Sequence, residues 1–441
     1  TAPTGPAQIT ATLNGTGADG TARSASDTVW VDSVGGTPVV SAAGPLDLAL
    51  KKIAVQESKG LISQAQAEAA RHGAHENATV KISVNTSCFA VCLSGTVQWT
   101  DSAGNLHPVR KAPVEVWDSN VGADTLITTA TTDANGFFSV TFNNSDPEGG
   151  ARDPYVDVYA SGPGFDIGPD TDQYGPNHAG AHFVESGVST DVPTGSNVTA
   201  NVTTNQINEN NTAFSLQNAM VVAGEYIQGV RGSAFPDIFV EFPSIGGGSY
   251  YVGTSLKVDG LDRWDWDVML HEYGHYIAAV MDIEDNTGGS HSNTNLSTTY
   301  GKSIGTRLAF GEGWPTYFAV SALSEMNTAS LNIPNIGDTS YQDTEDQELT
   351  DNLETGETLG EDNENTIMSI LWDLYDSAPD GRDRVALGTS FIWNLLDNSA
   401  RPAVWRLSSA YVMFSPGAAA TENDRNCIFS DHNVAPTITG P

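Results

Sequence analysis

The 441-residue sequence is short of cysteine, of positive charge and of long apolar runs. Three cysteines, Cys88, Cys92 and Cys427, allow at most one internal disulfide, with Cys88–Cys92 the candidate pair, so core packing or metals must hold the fold. None of the three sits in a basic or histidine-rich neighbourhood that would sustain a thiolate, which argues against a cysteine nucleophile. Lys and Arg total 19 against 54 Asp and Glu, a formal charge of -35. Such a field repels nucleic acid and anionic membranes and is read as a solvated acidic surface. No run reaches the roughly 18 apolar residues of a membrane span. A GxSxG elbow, a GxxxxGK[ST] loop and a dinucleotide fingerprint are also missing, and "SIGGG" lacks the glycine spacing and following helix of a phosphate cradle. The first residues, "TAPTGPAQ", have neither Met nor a basic n-region and read as a processed chain, so the expectation is a secreted, extracellular protein; separately, a monomer is expected. N-glycosylation patterns recur between Asn14 and Asn295, which would suit a glycoprotein.

The length predicts two or three domains. Residues 1–75 form a lead-in, with helical spacing over 46–71 that could be a propeptide remnant. Over 76–162 the period shortens: "SGTVQWT", "APVEVWD", "TLITTATT", "GFFSVTF" and "PYVDVYAS" alternate or are β-branched, with "DSAGN" and "DANG" as turns between them. These predict a small β-sandwich. Residues 163–212, rich in Gly, Pro, Asp and Asn, read as a surface connection. From 213 to 441 helical patterns dominate, over 213–230, 264–282, 305–326, 365–379, 384–398 and 402–413. The expected fold class is therefore multidomain, an all-β sandwich followed by an α+β, mainly helical unit. The acidic stretch at about 335–365 is most simply a solvated loop, though its carboxylates could hold Ca2+.

The chemistry is concentrated in "DVMLHEYGHYIAAV", residues 267–280. A helix turns 100° per residue, so His271 and His275 project from one face, one turn apart. That spacing suits two imidazoles on one Zn2+, with Glu272 able to lean toward a zinc-activated water. Val268, Met269, Leu270, Ile277 and Ala278 sheathe the pair, and two unpaired imidazoles there would be costly. Gly274 reads as room beside the metal. A catalytic site needs a third protein ligand. Glu312, between Gly311 and Gly313 at the head of an apolar helix in "LAFGEGWPTYF", is the best candidate, with His291 and His432 as rivals. Residue 281 is Met, which excludes the HExxHxxGxxH arrangement. Pro315 is tolerable near a helix start or at a kink.

HEYGH with the downstream glutamate of "FGEGW" resembles the gluzincin zinc metallopeptidases over roughly residues 213–415. The strand-and-turn pattern at "SGTVQW", "PVRKAPVEVWD" and "TTDANGFFSVTF" is similar to transthyretin-like and carboxypeptidase-regulatory-like accessory domains, and names no site. The first resemblance implies His271, His275 and Glu312 as zinc ligands, Glu272 as general base, and a secreted endopeptidase acting on protein or peptide substrates. It also implies an oxyanion donor, for which Tyr375, Tyr300 and His432 are candidates. Thermolysin-like members carry an aspartate four residues after the ligand glutamate; here that residue is Thr316, so another group must hold a ligand histidine, with Asp265 and Asp267 the nearest acids. An edge strand within "PDIFVEFPSIGGGSYY" could pair with extended substrate, and Gly246 to Gly248 would let a backbone approach. Trp264, Trp266, Tyr273, Tyr276 and Trp314 could line a cleft, though core packing explains most of them. A zinc aminopeptidase and a non-catalytic protein- or glycan-binding protein on the same scaffold are the alternatives. The first lacks an exopeptidase motif such as GxMEN; the second would require damage at Glu272 or a ligand, and there is none.

Overall fold

The computed structural model describes residues 7–16, 22–34, 37–41 and 79–80 by backbone, and from residue 90 to 434 all but some intervening stretches, chiefly 170–177, 337–359, 377–384, 398–404 and 408–421. The chain divides into two compact units, Thr1–Ser87 and Cys88–Pro441. In the first, β1 (Ala7–Thr16), β2 (Ala22–Val34), β3 (Thr37–Ser41) and β4 (Thr79–Val80) form one antiparallel sheet in sequence order. The helix expected over 46–71 lies outside the described residues, as does most of the acidic stretch proposed for Ca2+.

The second unit opens with the β-sandwich. The strands β5 (Val91–Thr100), β6 (Leu106–Pro108), β7 (Pro113–Asp118), β8 (Thr125–Thr131), β9 (Phe137–Phe142) and β10 (Pro154–Tyr159) follow the alternation in the sequence closely. In β5 each second residue is buried, from Val91 to Trp99, and in β7 Val114 and Val116 turn inward, as side chains of period two must when one face is dry. Cys92, on the other side of β5, is a free thiol 3.6 Å from Thr141 Oγ1, so the Cys88–Cys92 disulfide is not formed.

The stretch 163–212, expected as a surface connection, is partly strand. After β11 (Ser161–Gly162) come β12 (Phe165–Gly168), β13 (Phe183–Glu185), β14 (Asn197–Thr199) and β15 (Val202–Thr203). The strands β14 and β15 return to pair with β5, and β13 extends the sheet to the order β13-β10-β7-β8. They are two to four residues long and lie among turn-forming residues, too short for a period to appear.

The helical region begins with α1 (Glu209–Arg231), capped by Asn208 and ended by Gly232 in the left-handed conformation. Next, β16 (Ile238–Glu241), β17 (Tyr250–Val252) and β18 (Ser255–Lys257) join β11 and β12 in a sheet ordered β11-β12-β16-β18-β17. The segment "IFVE" is thus an interior strand, and the strand at the open edge is "YYV". Then follow α2 (Trp266–Met281), α3 (Leu296–Tyr300), α4 (Lys302–Glu325), α5 (Glu364–Tyr375), α6 (Thr389–Leu396) and α7 (Glu422–Asp431), the last beyond the final helical pattern in the sequence. None of the described helices is long and apolar enough to cross a membrane. The architecture is the expected one, β-rich first and helical after. Trp99 of β5 stacks on Trp264 at 6.3 Å between ring centroids and lies 6.2 Å from Trp266. Trp266 and Trp314 are fully buried, as core packing requires.

Candidate metal centre

Two crossing helices build the site, and glycines set their approach. A Cβ on Gly274 of α2 would stand 2.7 Å from Pro315 Cα of α4, closer than side chains pack. Gly274 therefore makes room for the facing helix, not for a metal. Pro315 lies inside α4, and Glu312 is at mid-helix, because the helix begins ten residues before it, at Lys302. The glycines flanking Glu312 act in the same way. A Cβ on Gly311 would meet Asn286 Cβ at 2.7 Å, and one on Gly313 would meet Ile367 Cβ of α5 at 2.4 Å. Two neighbouring elements thereby close on the carboxylate.

The result is a buried cluster. His275 Nε2 lies 3.1 Å and His271 Nε2 3.3 Å from Glu312 Oε2. Among the described residues, this trio alone brings ligand atoms of three such side chains within 4.8 Å of one another. With bonds of about 2.0–2.1 Å, the ligand atoms of a tetrahedral zinc centre lie about 3.3 Å apart, so the donor set and its spacing fit that ion. The arrangement is consistent with a gluzincin-type metal site.

The hydrogen bonds around His271 point the same way. Thr316 Oγ1, one turn beyond Glu312, donates its only proton to the Glu312 carbonyl at 3.2 Å and lies 2.8 Å from His271 Nδ1. The hydroxyl must then accept from Nδ1–H, and a neutral His271 turns the lone pair of Nε2 toward Glu312 Oε2. Two acceptors 3.3 Å apart repel unless a cation or a proton lies between them. Thr316, where the sequence lacks a supporting carboxylate, is therefore itself in contact with a candidate ligand histidine.

Glu312 is 7% exposed. Burial alone would push its carboxyl up, but His275, His271 and His291 more than offset this and hold it well below the usual range. Its Oε1 accepts from Asn286 Nδ2 at 2.6 Å and lies 3.3 Å from His291 Nε2. His291 Nδ1 is 2.9 Å from Glu364 Oε1, and its contacts with Glu312 and Glu364 push the imidazole up to about 10 despite its burial. So His291 meets the far oxygen of Glu312 while His271 and His275 share the near one. Glu272 Oε2 accepts from the Tyr251 amide of β17 at 2.7 Å.

A cleft of about 390 Å³ opens here, lined by Tyr250, Tyr251, Glu272, His275, Asn286, His291 and Glu312, among others. None of the three candidate oxyanion donors lines it. Tyr375 packs its ring against Tyr317 and Trp372, and His432 is buried 3.0 Å from Asp373 Oδ2. Tyr300 closes the short helix α3, outside the cleft lining. The fold instead brings in Asn286 and Glu364, which sequence reasoning did not single out. Glu364, an acid in the first turn of an otherwise buried helix, left a trace in the sequence; Asn286, in a polar loop, left none.

No family model and no curated protein matches this chain. Among solved structures, it is similar to a 9R-lipoxygenase from Cyanothece PCC8801, at 12% identity over 65% of this chain and 31% of that one, with a TM-score of 0.18. It is also similar to a putative carbohydrate binding protein from Pseudomonas aeruginosa, at 12% identity over 27% of this chain and 92% of that one, with a TM-score of 0.15. The chain thus spans less than a third of the lipoxygenase, and likenesses this slight carry no argument about fold or activity.

Proposed function

We propose that the chain is a secreted zinc-dependent endopeptidase that hydrolyses peptide bonds in the cleft between β17 and α2. The observation that carries the reading is the convergence of His271 Nε2, His275 Nε2 and Glu312 Oε2 beside a second carboxylate, Glu272, on the wall of an open cleft. Zinc, when bound by these three residues, would acidify a water and polarise the scissile carbonyl. Glu272 would take the proton of that water and return it to the leaving amine. One of its oxygens is held by the Tyr251 amide, which fixes where the other can reach. The open edge of β17 supports an extended substrate adding as a further strand, which is why an internal peptide bond is the favoured target. The oxyanion would draw its donor from the cleft's own side chains, with Asn286 favoured because its Nδ2 carries a second hydrogen beyond the one given to Glu312. The β-sandwich packs its Trp99 and Arg110 onto the helical region, and would stabilise the catalytic unit.

A mixed peptide library, assayed with and without a zinc chelator and with Glu272→Gln, tests this. Internal cleavage that is lost on chelation and lost in a Glu272→Gln protein still holding zinc is the expected result. Release of N-terminal residues only would make the enzyme an aminopeptidase. Zinc retained with no hydrolysis of any peptide would make it a binding protein on this scaffold.

A further inference from the structure

Far from the cleft in sequence, the sheet β13-β10-β7-β8 carries three carboxylates in one row. Asp157 of β10 lies directly opposite Glu185 of β13 on one side and Glu115 of β7 on the other. Like charges paired across strands destabilise a sheet. Asp157 is only 9% exposed, and its Oδ1 is buried without a hydrogen-bond partner. Among the described residues no Lys or Arg pairs with any of the three acids. A row of this kind, with an unpartnered buried acceptor at its centre, is a site for a cation.

Which cation follows from spacing and surroundings. Ligand atoms gathered tightly enough to grip a bare metal ion occur, among the described residues, at the histidine–glutamate centre and not here. Aromatic rings flank the row on the same face of the sheet: Tyr155 and Trp117, paired across β10 and β7, on one side, and Tyr159 and Phe183, 5.8 Å apart, on the other. Their polar edges are tied to neighbouring acids. Tyr159 Oη donates to Glu115 Oε2 at 2.8 Å, Trp117 Nε1 to the same oxygen at 3.2 Å, and Tyr155 Oη to Asp124 Oδ2 at 2.8 Å. The carboxylates of Asp157 and Glu185 accept nothing among the described residues, and of the two only Asp157 is buried. A planar guanidinium, with five donors and faces that stack on aromatic rings, suits such a setting better than a compact ion.

We propose that this face of the sandwich binds an arginine side chain of a basic polypeptide, seated against Asp157 between Glu115 and Glu185. The net charge of -35 would draw such a segment in. The inference stands on the sheet alone and does not depend on the peptidase reading.

Calorimetry with the full chain carrying Glu272→Gln, so that no peptide is consumed, tests it. The probe is acetyl-Gly-Arg-Gly-amide, and its control replaces arginine by neutral citrulline. One site is expected, weakened about tenfold or more by citrulline, by Asp157→Asn and by Glu185→Gln, and weakened by added salt. Glu185 is exposed, so its substitution leaves the fold intact even if position 157 does not tolerate change. Equal affinity in wild type and both variants, or no binding at millimolar peptide, overturns the proposal. So does stabilisation by calcium chloride that is lost in Asp157→Asn while the arginine peptide gives no heat, since the row would then be a metal site.

Discussion

Thr316 Oγ1 stands 2.8 Å from His271 Nδ1 and at the same time donates to the Glu312 carbonyl, so one hydroxyl links two of the three candidate ligands. The link follows from helix geometry. Positions 312 and 316 share a face of α4, and a short side chain four residues after the glutamate can reach both its own helix and the imidazole opposite.

Thr316→Val keeps the volume and removes the hydroxyl. Partners of metal-binding histidines are worth about 10–100-fold in metal affinity. Zinc affinity, measured by competition with a chromophoric chelator, should fall by about that factor, while Thr316→Ser should restore most of it. Unchanged affinity in Thr316→Val would show that the hydroxyl does not orient His271.

Zinc should stabilise the folded chain by mass action. At a free concentration about 100 times the dissociation constant, the gain is about 2.7 kcal/mol. Melting temperature should rise with zinc in the wild type and hardly at all in His275→Ala. Equal shifts in the two proteins would place the ion elsewhere.

Gly274→Ala should destabilise the protein, although alanine is favoured over glycine in a helix by about 1 kcal/mol. The new Cβ would lie 2.7 Å from Pro315 Cα, a backbone atom that cannot turn aside. Overpacking of this kind costs about 1–3 kcal/mol, and α2 and α4 should separate enough to weaken zinc binding as well. Denaturant unfolding and zinc titration of the same variant check both effects. A variant as stable as the wild type would mean that the two helices do not approach so closely.

The acidic row makes stability depend on pH. Burial, with the charges of Glu185, Glu115 and Asp124, pushes the Asp157 carboxyl up to about 7 from 3.8. A group whose pKa is raised on folding binds more protons in the native state between those two values. Its contribution is complete below about pH 4 and is lost as pH rises toward 7. Asp157→Asn, which never ionises, should therefore match the wild type near pH 4 and exceed it at pH 8. Solvent at the exposed Glu185 screens the row, so the difference should be on the order of 1 kcal/mol. Melting curves at both pH values decide it, and a variant less stable than wild type at pH 8 would mean that Asp157 is not held at a cost.

Some of this protein could be read directly along the chain. His271, Glu272 and His275 fall within a single helical turn or so, where 3.6-residue geometry places side chains whatever the rest of the fold does. The sandwich strands betray themselves by alternation, since each must keep one face dry. Glu312 was recognisable because a lone acid in an apolar helix needs a partner.

What the sequence could not show depends on which distant segments meet. Gly274 reads in the sequence as room for a metal, and only the packing shows Pro315 against it and Ile367 against Gly313. Which part of "PDIFVEFPSIGGGSYY" forms the edge, "YYV" and not "IFVE", was not legible because sheet order is set by chain crossovers, which leave no local period. Tyr375 and His432 were reasonable donors by type, but α5 and the segment after α7 carry them into other packing. Asn286 and His291 reach Glu312 from a segment whose composition is merely polar, and Glu364 of α5 meets His291 rather than Glu312 itself. Glu115, Asp157 and Glu185 are ordinary solvent-face acids in their own strands, and strand register alone makes them a row. Periodicity is a property of a few consecutive residues. Contact between remote residues is settled by how the whole core packs, and the site depends on that contact.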